Sequence, residues 1–231
     1  MTASIQARVE DVRERIRRAA EASGRRASAI RLIAVSKTFP AQAILAAAAA
    51  GVTDIGENYI QEAREKHELL KQLPARWHFI GHLQTNKVRY AVRMFDLIHT
   101  VDSFRLAGEI DRCARLLDRV QPVLVQVNIA GEATKSGVPP EKALPLVQEI
   151  ATLESVRVKG LMTMPPFFND PERVRPFFAE LRRLGDRIRE SAVPNVRMDE
   201  LSMGMTGDFE AAIAEGATLL RIGTAIFGER R

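Results

Sequence analysis

A chain of 231 residues is long enough for one large domain or two small ones with a proper core. Its hydrophobic and charged fractions, 46% and 27%, are those of an ordinary globular protein, and no apolar run approaches the roughly 20 residues that span a bilayer. The net charge of +5 raises nucleic acid as a partner, but in RVEDVRERIRR and RVRPFFAELRRLGDRIRE the arginines alternate with acids, the pattern of a solvated, salt-bridged helix face. Neither nucleic acid nor membrane is therefore expected. The N-terminus carries Glu10, Asp11, Glu14 and Glu21 with no signal-type apolar stretch, and Cys113 is the single cysteine. Both features point to a reducing, cytoplasmic setting.

Apolar positions at Ile5, Val9, Val12, Ile16 and Ala19 recur at helical spacing and predict a helix over 4–23 that stops near Gly24. From there short apolar runs alternate with helical stretches. The runs are RLIAVS from 31, TDIGEN from 53, WHFIGH from 77, LIHTVDS from 97, PVLVQVNI from 122, VRVKGLMTM from 156, ELSMGM from 200 and LLRIGTAIFG from 219. Helices are predicted over 41–50, 59–72, 83–94, 103–119, 140–153, 171–190 and 208–215, with the alanine run 46–50 packing closely on the sheet. Continuous β-branched runs with a helix in nearly every gap fit a parallel sheet buried on both faces. Eight such units predict a single-domain (β/α)₈ barrel over 1–231. A doubly wound open sheet is the alternative, but it requires neither eight strands nor this even pacing. No apolar patch motif stands out, and a monomer is expected.

In such a barrel the chemistry sits where strands end. The polar residues predicted there are Lys37, Glu57 and Asn58, His82, His99 and Asp102, Asn128, the segment Met162 to Met164, Ser202, Arg221, and Gly223 with Thr224. The stretches SMGMTGD after strand 7 and IGTAIFG after strand 8 offer glycines, backbone N–H groups and hydroxyls, with a short helix over 224–230 behind them. Loops after strands 7 and 8 of barrels frequently bind phosphate. Arg221 admits two readings: it snorkels outward between helices, or it points into the barrel mouth. Lys37, at the end of an apolar strand, is either a solvated terminus or a partly desolvated amine of lowered pKa, able to form a Schiff base with an aldehyde. An amine, a phosphate cup and an arginine together are what pyridoxal 5′-phosphate (PLP) requires. His78 and His82 lie four apart on a strand, roughly 13 Å, too far to share a metal ion. No metal is expected, and Cys113, within a helical pattern, reads as a structural thiol.

The blocks IAVSKT from 33, GENYIQE from 56, HFIGHLQTNK from 78, VNIAGEATKSG from 127, GLMTM from 160, LSMGMTGDFEAAI from 201 and LLRIGTAIFG from 219 occur in one order over nearly the whole chain. In these the chain resembles the PLP homeostasis proteins, the YggS/PROSC group, similar in fold to the N-terminal barrel of alanine racemase. The resemblance implies that Lys37 holds PLP as a Schiff base, and that Ser202, Gly223 and Thr224 form the phosphate cup. It further implies that Arg221 faces the pyridine nitrogen, that Asn58 lies beside the cofactor, and that Lys135 takes part in transfer or a secondary contact. On the residues alone Lys135 is a solvated loop lysine. The group's role is non-catalytic PLP homeostasis, with delivery to apo-enzymes.

Two observations on the residues bear on turnover. An arginine cannot give the pyridine nitrogen a proton, so the ring is a weaker electron sink than with an aspartate partner. A two-sided proton relay needs an acid/base on each face, and the tyrosines available are Tyr59 and Tyr90, both on predicted helices. The expectation is a PLP holder with no catalytic residue. A low-activity PLP-dependent amino-acid racemase is the alternative. A class I aldolase would use a barrel lysine without needing the strand-8 arginine and the phosphate cup together.

Overall fold

The computed structural model describes residues 3–132, 134–166, 168 and 170–229. The ends of the expected 1–231 domain, and Arg230 of the expected terminal helix, lie outside the described residues. The apolar runs form β1 (Arg31–Val35), β2 (Asp54–Glu57), β3 (Arg76–Phe79), β4 (Leu97–Val101), β5 (Gln121–Gln126), β6 (Val156–Met162), β7 (Glu200–Ser202) and β8 (Leu219–Ile222). Each pairs in parallel with the next, and β8 returns to β1 with Arg221 opposite Ile33, closing a barrel in chain order. The (β/α)₈ expectation is met, and the open sheet is excluded.

Around the barrel run α1 (Ile5–Ala22), α2 (Ala41–Ala49), α3 (Ile60–Leu69), α4 (Val88–Met94), α5 (Phe104–Arg115), α6 (Pro140–Ile150), α7 (Arg175–Glu190), α8 (Phe209–Ala214) and α9 (Thr224–Phe227). The predicted 83–94 and 171–190 segments each begin with a short 3₁₀ turn, at 85–87 and 171–173, before the α-helix proper. Helix α1 starts where Ser4 Oγ accepts from the Ala7 N–H, and it buries Val9, Val12, Ile16 and Ala20. Each of the two valines and the isoleucine contributes about 1.5–3 kcal/mol by leaving water. The alanine-rich α2 buries Ala41, Ile44 and Ala47, small side chains that allow close approach.

Two apolar layers result. The larger fills the space between strands and helices. A smaller cluster of Ile33, Leu97, Leu124, Met162 and Leu219 plugs the barrel interior. Strand side chains alternate between faces, so the residues two positions beyond the plug, His99 after Leu97 and Arg221 after Leu219, also point inward. This corrects the placement of His99: it sits mid-strand and fully buried, not at the barrel mouth. Glycine is required where backbones nearly touch. A Cβ at Gly81 would lie 2.0 Å from the Asn58 carbonyl oxygen, and one at Gly160 would lie 1.8 Å from that of Glu200. At Gly160 the β5–β6 register also shifts.

Candidate functional site

The ends of β1, β2 and β8 and the loops after β3, β6 and β7 enclose a cavity of about 280 Å³. Its polar lining comes from Lys37, Asn58, Thr206, Asp208, Arg221 and Thr224, with backbone exposed at Gly207 and Gly223. Its apolar lining includes Val35, Ile80, Met164 and Met205. Alternation explains the arrangement: Val35 points inward, Ser36 outward, and the chain then turns at Lys37 over the rim. Arg221 is 4% exposed, so of its two readings the inward one holds. Its Nη2 donates to the Thr163 carbonyl at 2.8 Å, and its Nη1 donates to Ser202 Oγ at 2.6 Å. Burial lowers the guanidinium to about 10, partly offset by the Asp208 carboxylate, and it remains a cation at neutral pH.

Of the residues singled out in the sequence, Lys37, Asn58, Arg221, Gly223 and Thr224 thus meet at one cavity. Ser202 does not line it. The Ser202 hydroxyl is fully buried beneath the cavity floor, between Arg221 and His99. The hydroxyl that the β7 loop brings to the wall is that of Thr206. Lys135 pairs with Glu132 at 2.7 Å in the loop after β5, off the cavity wall. His82 is exposed in the loop after β3. Asn128 Nδ2 donates to the Glu132 carbonyl at 2.8 Å and shapes the β5 loop. Tyr59 is exposed, and Tyr90 lies on α4 between the guanidinium groups of Arg64 and Arg89.

Sequence reasoning missed Met205, Thr206 and Asp208. Asp208 Oδ1 accepts from the Met205 N–H at 2.6 Å, which fastens the β7 loop to the start of α8. Burial raises the Asp208 carboxyl, against the opposing pull of that N–H and of Arg221. The signal was present in SMGMTGD, but which of its hydroxyls reaches the mouth depends on where β7 stops.

Behind Lys37 lies a charged group of which the sequence singled out Glu57 alone, and as a residue of the barrel mouth, a placement the structure corrects. Glu57, the last residue of β2, faces outward toward α3 and is completely buried. Its Oε1 accepts from Ser36 Oγ and from Lys66 Nζ, each at 2.6 Å. Lys66 Nζ also donates to the Ser36 carbonyl and to Glu62 Oε1, both at 2.7 Å. Glu62 Oε1 in turn accepts from the Thr38 N–H at 2.5 Å. Burial raises the Glu57 carboxyl, opposed by Lys66 and Ser36. Both neighbours of Lys37 are therefore tied to one ion cluster. Thr38 adopts a φ of +69°, a left-handed conformation a β-branched residue rarely takes.

A larger groove of about 830 Å³ runs between α3 and α4, lined by charges of both signs such as Arg64, Glu65, Lys71 and Arg93. It lies on the outer face of the barrel, away from the strand ends, and is a solvated seam between helices. Among the described residues no cluster of three or more His, Cys, Asp or Glu could hold a metal ion, and no helix is long and apolar enough to cross a membrane.

The residues fit an anionic aldehyde of aromatic shape. Asn58 Oδ1 is buried without a hydrogen-bond partner within the protein, a deficit of about 1–3 kcal/mol that a ligand donor would relieve. The wall offers an amine, a fixed cation, two threonine hydroxyls and two glycine backbones, among apolar side chains. A closed parallel barrel with a lysine at the end of its first strand and an inward arginine on its eighth defines the class of protein. The chain belongs to the alanine racemase N-terminal domain family, whose model matches residues 8–231, and within it to the pyridoxal phosphate homeostasis proteins. The protein of that name from Aquifex aeolicus is 47% identical over 224 residues, covering 97% of each chain. Among solved structures, PipY of Synechococcus elongatus with PLP bound superposes with a TM-score of 0.85 at 37% identity, covering 97% of this chain and 100% of that one. A crystal structure from Bifidobacterium adolescentis superposes with a TM-score of 0.92 at 42% identity, covering 96% and 94%.

Proposed function

We propose that this protein holds pyridoxal 5′-phosphate in the strand-end cavity and serves intracellular PLP homeostasis without being an enzyme. The observation that carries the reading is the meeting of Lys37, Arg221 and the Thr206 and Thr224 loops at one small, apolar-walled cavity. The PLP-bound Synechococcus relative supports it. Bound PLP supplies an aldehyde for covalent attachment and an aromatic ring that accepts electrons.

Lys37 Nζ adds to that aldehyde; a C=N bond forms and water leaves. Thr206, Thr224 and the N–H groups around Gly207 and Gly223 take the phosphate, a task for which the resemblance had named Ser202. Arg221 presents its buried charge to the ring nitrogen and keeps a proton off it, which weakens the ring as an electron sink. Besides Arg221, the titratable side chains described on the wall are Lys37 and Asp208, and Asp208 is engaged in bracing its own loop. Lys37 is half-buried, so an incoming lysine amine from an apo-enzyme can displace it. One C=N bond forms as another breaks, and the Lys37 amine is released.

Incubating the loaded protein with L-alanine or L-serine tests the non-enzymatic part of this reading. The expected outcome is unchanged optical purity over many hours alongside an intact cofactor absorbance band. Sustained racemisation that vanishes in Lys37→Ala would replace it with the racemase.

A further inference from the structure

A continuous line of side chains crosses the barrel interior from its N-terminal face to the cavity floor. Asp54, first residue of β2, accepts from Arg76 Nη2 at 2.8 Å and from Thr53 Oγ1 at 2.7 Å. Its other oxygen, Oδ1, lies 2.9 Å from His78 Nε2. His78 Nδ1 is 2.9 Å from His99 Nε2, and His99 Nδ1 is 2.9 Å from Ser202 Oγ, which accepts from Arg221 Nη1. Asp54, His78, His99 and Ser202 are each 1% exposed or less, and Arg221 is 4% exposed.

With both rings neutral, the two ends fix the direction of every bond between them. An ionised carboxylate only accepts, so His78 must carry its proton on Nε2. Burial opposes ionisation of Asp54, but the hydrogen bonds from His78, Arg76 and Thr53 outweigh it and hold the carboxyl below its usual range. A neutral His78 then offers Nδ1 as an acceptor, so His99 must donate from Nε2. Burial above all, with repulsion from the Arg221 and Arg31 guanidinium groups, keeps His99 neutral. Its Nδ1 is therefore an acceptor for the Ser202 hydroxyl proton. The serine oxygen is left to accept from Arg221, which at the other end can only donate. Every donor and acceptor along the line is satisfied in this one arrangement, and a reversed ring would set two acceptors or two donors against each other.

We propose that Asp54, His78, His99 and Ser202 form a one-way positioning relay, anchored on the far face of the barrel, that fixes the Arg221 guanidinium toward the cavity. These four are positioning residues, since none lines the cavity, and Arg221 alone meets the ligand. The proposal rests on the PLP reading for what Arg221 faces, but the ring states it requires do not depend on any ligand.

Two measurements test it. In ¹⁵N NMR spectra of the ligand-free protein, His78 and His99 should both be neutral rings protonated at Nε2. A ring protonated at Nδ1, alone or together with Nε2, would overturn the relay. In Asp54→Leu, the His99 ring should lose its single tautomer. That variant and Ser202→Ala should each bind PLP about tenfold more weakly, with a shifted cofactor absorbance band and a cooperative melting transition. Wild-type affinity and spectrum in both variants would overturn the proposal. Should Asp54→Leu not fold, the ring states of the wild-type protein and the Ser202→Ala titration decide. If the wild-type protein takes up no PLP, the functional reading fails, and the ring states alone then judge the relay.

Discussion

Lys66 is the residue on which the turn carrying Lys37 rests. Its ammonium is buried with Glu57 and reaches Ser36 and Glu62, so it links β1, β2 and α3 behind the cavity. Removing one partner of a buried pair leaves the other charge without compensation. Lys66→Met should therefore lower the free energy of unfolding by about 3–5 kcal/mol, read by urea denaturation at neutral pH. The pH dependence follows from Glu57, whose carboxyl burial already raises. Without Lys66 its folded pKa rises further above the unfolded value of about 4.3. Protons then bind the folded state more tightly than the unfolded one, so the variant's deficit shrinks as the pH falls from 8 toward 5 and grows as it rises. A deficit independent of pH would mean that Glu57 finds another cation. None of this could be read from IQEAREKHEL, where Lys66 has the look of one more surface charge on an amphipathic helix. Burial of a charge is decided by what lies across from it, here a glutamate nine residues earlier on a different element.

At the scale of elements, the close crossing of Gly81 against Asn58 joins the β3 loop to the cavity wall. Gly81→Ala places a Cβ 2.0 Å from the Asn58 carbonyl oxygen, and backbone must yield. The expected loss is about 1–3 kcal/mol, with weakened PLP uptake because Asn58 is pushed from its place. Gly108→Ala is the contrast: within α5 its Cβ meets nothing inside 4 Å, and better helix propensity should raise stability by about 0.5–1 kcal/mol. Equal effects from the two, by chemical denaturation, would contradict this account of the wall. Much at this scale was legible. Apolar runs such as RLIAV and LIHTV announced strands, and the positions of Lys37, Asn58, Arg221, Gly223 and Thr224 near predicted strand ends placed them at one rim. The exceptions share a cause. Ser202, Thr206 and His99 depend on where a strand stops and which face a residue takes, and a shift of one residue along β7 exchanges cavity wall for barrel interior. His78 was weighed as a metal ligand with His82 along one strand, while its partners, Asp54 and His99, stand on the neighbouring strands β2 and β4.

On the scale of the whole molecule, the barrel separates two tasks. Its apolar plug and the layer beneath the helices supply stability, and its rim gathers an amine, a cation and hydroxyls from elements far apart in the chain. That division lets the rim keep an unpartnered acceptor at Asn58 and a left-handed Thr38 beside Lys37, both costly in isolation. The central claim is that the amine on this rim is the covalent point of attachment. The most direct measurement is borohydride reduction of the PLP-loaded protein followed by peptide mass mapping. The account predicts that the near-visible band collapses and that the pyridoxyl mass appears on the peptide containing Lys37, and nowhere in Lys37→Ala. Stoichiometric label on another lysine, or a Lys37→Ala protein that keeps the band unchanged, would contradict it.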